Sequence, residues 1–323
     1  MYLLALIKII HSIKGRKMSK KVLLATEKPF AQSAVKGIEK IFSDAGYELI
    51  KLENYKEQTD FLKAVENVNA IIIRSDIADK AIIEAAKNLK IVVRAGAGYD
   101  NIDLAAATAS GVVAMNTPGQ NSNAVAELVI GMMIYLARCK FNGKSGFELK
   151  DKKIGIHAYG YVGRFVAMIA KGFGMDVYAY DPFVPKAKIE ADGVKTVADV
   201  KELYKTCEYI SLHMPKTKDT VKSINYDLMS LMPEGATVIN TARAEVVCEE
   251  SMVKMMDNRK DFKYATDITP ENDEKMKTYG DRYFSTPKKM GAQTEEANVN
   301  AGLAAARQIV DFFEKNDTTF KVN

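Results

Sequence analysis

The sequence predicts an α/β fold of mostly parallel sheets, divided between about two domains. Three observations carry that reading. Strand-like and helix-like stretches alternate from end to end. The strand-like stretches are continuous apolar runs, the pattern expected of strands covered on both faces. The chain has 323 residues, more than one hydrophobic core usually organises.

The elements follow in order. "KVLLAT" (21–26) reads as a strand, and the helix after it ends at Gly46. "YELIKL" is a strand, 59–66 a helix, "NAIIIRS" (69–75) a strand, 79–88 a helix and "KIVVRAG" (90–96) a strand. "DLAAATASG" is a short helix closed by Gly111, and "VVAMNT" is a strand. A long helix at about 122–141 is apolar around most of its circumference. It is either wholly internal or covered on its second side by another domain or subunit. A second alternating set begins with "KKIGIHAYGYVGRFVAMIAKGFGMDVYAYDP" (152–182). It continues through "CEYISLHMP", "ATVINTAR", a helix at about 246–257, "FKYATDI", "YFSTP" and a final helix at about 295–315.

Composition narrows the function classes. Hydrophobic residues make up 47% of the chain, enough for a sizeable core, and the 27% of charged residues is ordinary for a soluble protein. The net charge of +5 falls to +1 without Lys8, Lys14, Arg16 and Lys17, so neither a nucleic acid nor a membrane surface is expected as a partner. The segment 1–17 is too short and too interrupted for a membrane span and lacks a signal-peptide pattern, whereas Met18 opens an ordinary protein start. It reads as an extension, disordered or outside the working start. Cys139, Cys207 and Cys248 form no metal or redox motif and read as buried free thiols of a reducing cytoplasm; no metal is expected. The three histidines, His11, His157 and His213, leave few candidates for acid–base work.

"AYGYVG" (158–163) follows a strand and opens a helix. It is a dinucleotide-binding pattern whose first glycine is replaced by Ala158. Gly160 lets backbone approach a pyrophosphate, Gly163 lets helix and strand pack closely, and the helix N-terminus stabilises phosphate charge. Asp181 ends the next strand, 18 residues after Gly163, where an acid accepts hydrogen bonds from ribose hydroxyls and repels a 2′-phosphate. The cofactor expected is NAD rather than NADP. His157 reads as a packed histidine.

Three later strands end in chemistry-bearing residues: "VINTAR" in Arg243, "YATD" in Asp267 with Glu271 close behind, and "STPKKMG" in Lys288 and Lys289. The crevice beyond the strand C-termini is where ligands bind in open α/β sheets. A guanidinium there can clamp a carboxylate and a neighbouring carbonyl.

Together "IIIRSD", "VVRAGAGYDNIDLAAAT", "NTPGQNSNAVAELVIGMM", "NTAR" and "GAQTEEA" resemble the D-2-hydroxyacid dehydrogenase family from about residue 21 onward. The resemblance is greatest to its short phosphoglycerate dehydrogenase branch, without a C-terminal regulatory domain. It implies two Rossmann-like domains with a cleft between them. Residues 18–120 and 294–323 would form a discontinuous substrate-binding domain, and 121–293 the NAD-binding domain. It implies oxidation of 3-phospho-D-glycerate to 3-phosphohydroxypyruvate, the entry to serine synthesis, in a cytoplasmic homodimer that serine does not inhibit by the family's usual route.

The resemblance also assigns roles. Arg243 would orient the substrate carboxylate and keto oxygen, and Asp267 would face the nicotinamide carboxamide. Met214, Pro215, Thr241 and Ala242 would line the dinucleotide with Gly160, Tyr161, Val162, Gly163 and Asp181. Arg74, Ser75 and Arg94 would contact the substrate, two arginines suiting a phosphate. Backbone N–H groups of Ala95, Gly96, Ala97 and Gly98 would hold its carboxylate, and Asn121 and Asn298 would add polar contacts.

Two positions depart from the family. Lys289 aligns with the usual catalytic histidine. Five residues after Asp267, where the dyad glutamate belongs, stands Asn272; Glu271 is one position early. A lysine that exchanges protons near neutral pH needs its pKa of about 10.4 brought down, by desolvation and by a neighbouring cation such as Arg243. A tightly paired carboxylate would act the other way, so loss of the dyad acid along with the histidine is coherent. The expected acid–base residue is therefore Lys289, with Lys288 a solvated neighbour. The alternatives are a dehydrogenase of another D-2-hydroxyacid and an NADH-sensing binding protein.

Overall fold

The computed structural model describes residues 19–323; the expectations about 1–17 and Met18 lie outside the described residues. The chain forms two compact units. One comprises the described residues up to Asn121 together with Glu295–Asn323, and the other is Ser122–Thr294.

The first unit holds a five-stranded sheet of β1 (Lys21–Thr26), β2 (Glu48–Glu53), β3 (Ala70–Ile73), β4 (Ile91–Arg94) and β5 (Val113–Asn116), in the order β2-β1-β3-β4-β5. Every pairing is parallel, which requires a crossover between consecutive strands, and helices supply it. Leu23, Ala25, Ile71 and Ile73 fill the core on one face, and Val22, Leu24, Ala70 and Ile72 on the other. The period of two thus appears inside each apolar run as a choice between two cores. The helix Glu295–Lys315 returns to this unit and buries Ala301, Ala305, Ala306 and Ile309 in the second core. The residues after it lie along β5: Val322 N–H donates to Ala114 O at 2.9 Å, and Asn323 Oδ1 accepts from Ala114 N–H at 2.9 Å. A sheet edge is covered in this way.

The second unit holds seven strands: β6 (Lys153–His157), β7 (Asp176–Tyr180), β8 (Lys195–Thr196), β9 (Tyr209–Leu212), β10 (Thr237–Asn240), β11 (Lys263–Thr266) and β12 (Tyr283–Ser285). Their order is β12-β11-β10-β9-β6-β7-β8, again wholly parallel. The winding reverses between β6 and β9, the switch point at which such sheets open a crevice. His213 N–H, just past β9, donates to His157 O at 3.0 Å across that point.

The long apolar helix is shorter than the sequence suggests. It runs Ser122–Ala137 and leaves Asn123, Glu127 and Gly131 as its exposed stripe. It stops because Cys139, Lys140 and Phe141 take φ of 50°, 56° and 57°, a left-handed turn that α-helical geometry cannot include. Of the three cysteines only Cys207 is buried; Cys139 and Cys248 are half-buried, so burial does not describe all three. Among the described residues no helix is long and apolar enough to cross a membrane, and no cluster of three or more metal-ligating side chains occurs.

Candidate active site

The dinucleotide pattern sits at the switch point of the second unit. Ala158, in the place of the pattern's first glycine, has a φ of 80°, so the turn keeps a glycine-like conformation despite its Cβ. Gly160 precedes the helix Tyr161–Gly172 in extended geometry with no side chain capping it. The first helical bond is Arg164 N–H to Gly160 O at 3.1 Å, which leaves the N–H groups of Tyr161, Val162 and Gly163 without helical acceptors. A Cβ on Gly160 would meet nothing within 4 Å. One on Gly163 would lie 2.5 Å from Ala158 O and 2.8 Å from Ile156 Cγ2. Room beside the first and none beside the second are what a phosphate cradle needs.

Asp181 follows β7, and its carboxylate accepts from Tyr159 N–H and Phe183 N–H, both at 2.8 Å. Met214 and Ala242 are buried and Pro215 is exposed. Thr241 is 7% exposed and its Oγ1 has no hydrogen-bond partner among the described residues. An orphaned buried hydroxyl beside the strand ends fits a cofactor that supplies the missing partner. These residues together fit a dinucleotide.

The two described histidines are poor proton carriers near neutral pH. Burial pushes His157 down to about 4 against a weaker pull from Asp181, and its Nδ1 lies 3.3 Å from Tyr204 Oη. Burial, then the neighbouring His157, pushes His213 down to about 3, and its Nε2 is 2.8 Å from Ser211 Oγ.

Beyond β10, β11 and β12 the chain brings two cations together. Asn240, fully buried, accepts from Ala242 N–H and donates to Arg243 O, both at 3.0 Å, and so fixes the turn that carries Arg243. Arg243 Nη1 donates to Ala242 O at 3.0 Å, and Lys289 Nζ donates to the same oxygen at 3.4 Å. Of the two influences expected on Lys289, the structure supplies the neighbouring cation. Desolvation is not supplied: Lys289 is exposed, as is Lys288.

Glu271 is exposed. Its backbone N–H donates to Glu249 Oε1 at 3.0 Å, and that of Asn272 to Glu249 Oε2 at 3.3 Å. Asp267 is completely enclosed, and its carboxylate accepts from Thr286 Oγ1, Met290 N–H and Gly291 N–H.

In the first unit, Arg74 and Arg94 stand at the ends of β3 and β4. Arg74 donates to Lys28 O, Pro29 O and Asn298 Oδ1 at 3.1, 3.0 and 2.6 Å and lies over Phe30. Burial lowers its pKa against the opposing pull of Asp76. Asn298 is thus a holder of Arg74. Arg94 Nε donates to Arg74 O at 3.0 Å. The carboxylate cradle expected at 95–98 is narrower. Ala95 N–H and Gly96 N–H already donate to Ile73 O and Arg94 O, which leaves the role to Ala97 and Gly98. Ser75 is exposed and Asn121 half-buried. Sequence reasoning missed Asn240, Glu249 and Asp76. The last is 5% exposed and accepts from Glu27 N–H, Arg74 N–H and Tyr55 Oη. A polar residue closing an apolar strand, as in "VIN", was the available signal for the first.

Comparison with known proteins places the chain. Residues 132–288, within the second unit, match the model of the D-isomer specific 2-hydroxyacid dehydrogenase, NAD binding domain. A hydroxypyruvate reductase of Thermotoga maritima is 34% identical over 81% of this chain and 90% of its own length. A D-3-phosphoglycerate dehydrogenase of Methanocaldococcus jannaschii is 32% identical over 89% of this chain and 56% of its own; the chain spans about half the length of the first curated relatives it matches. A crystal structure of NAD+-bound 3-phosphoglycerate dehydrogenase from Entamoeba histolytica is 46% identical, with a TM-score of 0.84 over 94% of this chain and 99% of that one. With its NAD-binding domain and its two parallel sheets, this chain belongs to the D-2-hydroxyacid dehydrogenase family.

Proposed function

We propose that the protein oxidises 3-phospho-D-glycerate to 3-phosphohydroxypyruvate with NAD, and that Lys289 takes the place of the family's catalytic histidine. The observation that carries the reading is the meeting of Arg243 and Lys289 on Ala242 O. NAD, when bound, accepts the hydride from C2. Arg243 orients the substrate carboxylate and the oxygen on C2 with its planar fork. Lys289 accepts the proton of the C2 hydroxyl in oxidation and returns it to the keto oxygen in reduction, while the charge of Arg243 favours its neutral form. The two described histidines are held neutral, which supports the choice of the lysine. In the first unit, Arg94 holds the phosphate. Arg74 uses three N–H donors within the protein and retains two of its five for the same task. The protein acts in the cytoplasm as a homodimer.

The test is a substrate panel at fixed NADH: 3-phosphohydroxypyruvate, hydroxypyruvate, glyoxylate and pyruvate. A kcat/KM highest for the phosphorylated acid is expected. Equal or better use of hydroxypyruvate would contradict the phosphate assignment and support the alternative dehydrogenase that the Thermotoga maritima relative suggests. NADH binding without turnover of any acid would favour the sensing alternative.

A further inference from the structure

We infer that Asp76 is a positioning residue for the phosphate-binding arginines, and that it sets the preference for a phosphorylated acid without touching the substrate. The inference deepens the reading that Arg74 and Arg94 hold the phosphate, and rests on it. Asp76 is 5% exposed and follows Arg74 closely in the chain. Its Oδ2 accepts from Arg74 N–H at 3.2 Å. Its Oδ1 accepts from Glu27 N–H at 2.6 Å and from Tyr55 Oη at 2.8 Å. Glu27 leads into Lys28 and Pro29, whose carbonyls accept from Arg74 Nη1 at 3.1 and 3.0 Å. One carboxylate therefore fixes Arg74 twice, at its backbone and, through residues 27–29, at its guanidinium.

The hold extends to Arg94. Arg94 Nε donates to Arg74 O at 3.0 Å, so Arg94 rests on the backbone that Asp76 secures. Asn101 Nδ2 donates to Arg74 O at 3.2 Å and to Asp76 O at 2.6 Å, which ties the segment after β4 to the same turn. Glu27 follows β1, Tyr55 follows β2 and Arg74 follows β3, so the ends of these strands meet on one side chain. Burial, then the hydrogen bond to Asp76, pushes the Tyr55 hydroxyl above its ordinary value and keeps it a donor. Charge and position act in opposite directions here. A buried anion beside Arg74 repels an incoming phosphate, whereas the bonds it accepts hold both arginines in place. Charge-assisted bonds are short and directional, and a bidentate phosphate contact depends on such placement, so position outweighs charge.

Asp76→Asn tests this. Its amide nitrogen cannot accept, so either the Arg74 backbone or the segment 27–29 comes loose while side-chain volume is conserved. The expected result is a KM for 3-phosphohydroxypyruvate raised roughly 10- to 100-fold, the loss of about one hydrogen bond to a charged group. Because the lost contact is uniform binding, kcat at saturation should stay within about twofold of wild type. The KM for hydroxypyruvate, and NADH affinity read by fluorescence titration, should also stay within about twofold. Asp76 lies in the first unit and the NAD-binding domain in the second. In the double variant Asp76→Asn/Arg74→Ala the rise should be smaller than the product of the single effects, because one residue acts through the other. A lower KM for the phosphorylated acid would show that Asp76 acts by charge, and equal rises for both acids would show general damage. Either result, or single effects that multiply, would overturn the inference. Failure of wild type to prefer the phosphorylated acid would remove the phosphate reading itself and the inference with it, a result visible before any variant is made. If Asp76→Asn does not fold, Tyr55→Phe decides. It removes one donor from Asp76 Oδ1 and should raise the same KM by about two- to tenfold, with hydroxypyruvate unaffected. An unchanged KM in that variant would overturn the inference.

Discussion

Substitution of Gly96 by alanine isolates the phosphate side of the proposal. Gly96 has a φ of +152°, and an added Cβ would stand 1.5 Å from Arg94 Nη1 and 2.3 Å from its Cζ. The guanidinium must therefore leave its place and give up its bond to Arg74 O, 3.0 Å long at present. A hydrogen bond to a charged group contributes about 1.5–3 kcal/mol. At about 1.4 kcal/mol per factor of ten, losing one such bond to the phosphate raises KM for 3-phosphoglycerate roughly 10- to 150-fold. The backbone conformation adds about 1–3 kcal/mol of strain, visible as a lower Tm. Gly96 lies in the first unit and the NAD-binding domain in the second, so NADH affinity should not change. Initial rates with phosphorylated and unphosphorylated acids, beside an NADH titration, read both sides. A folded Gly96→Ala protein with unchanged KM, or with equal rises for both kinds of acid, would refute the role of Arg94.

Two further outcomes follow from the second unit. Ala158→Gly relieves a φ of 80° that disfavours an L-residue by about 1–2 kcal/mol, less about 0.5–1 kcal/mol for the freer unfolded chain. Urea unfolding should show a gain of about 0.5–1 kcal/mol, and a loss would contradict the reading of this turn. His157 and His213 have folded pKa values of about 4 and about 3, below their ordinary 6.5. The unfolded chain thus binds protons first as pH falls. Stability is full above pH 6.5 and declines toward pH 4, by up to about 1.4 kcal/mol per pH unit for each histidine. Unfolding midpoints measured from pH 7.5 to 4.5 should show this slope, shallower in His157→Phe; an unchanged slope in that variant would contradict it.

The alternation of apolar runs and helical stretches was enough to read every strand of both sheets but the short edge strand β8, because parallel strands buried on two faces leave an unmistakable pattern and β8 has only two residues, neither of them buried. The sites that escaped were those where the backbone alone decides. Nothing in "LARCKF" announces a left-handed turn at Cys139–Phe141, so the preceding helix was read four residues too long. Arg74 was legible as a strand-end arginine, but not that the backbone of Lys28 and Pro29 engages it. Glu271 was readable only by spacing, and spacing does not reveal that Glu249 holds its N–H group. The meeting of Arg243 and Lys289 depends on which strand lies beside which. The order of β10, β11 and β12 supplies that, and sequence alone does not.

The most direct measurement is the rate of NADH formation from 3-phosphoglycerate and NAD by Lys289→Ala, beside wild type and Lys288→Ala. A positioned acid–base group contributes roughly 10²- to 10⁴-fold. A kcat loss of that size is expected in Lys289→Ala with NADH still bound, and near-normal turnover in Lys288→Ala. Turnover retained by Lys289→Ala, or lost equally in both variants, would contradict the role proposed for Lys289.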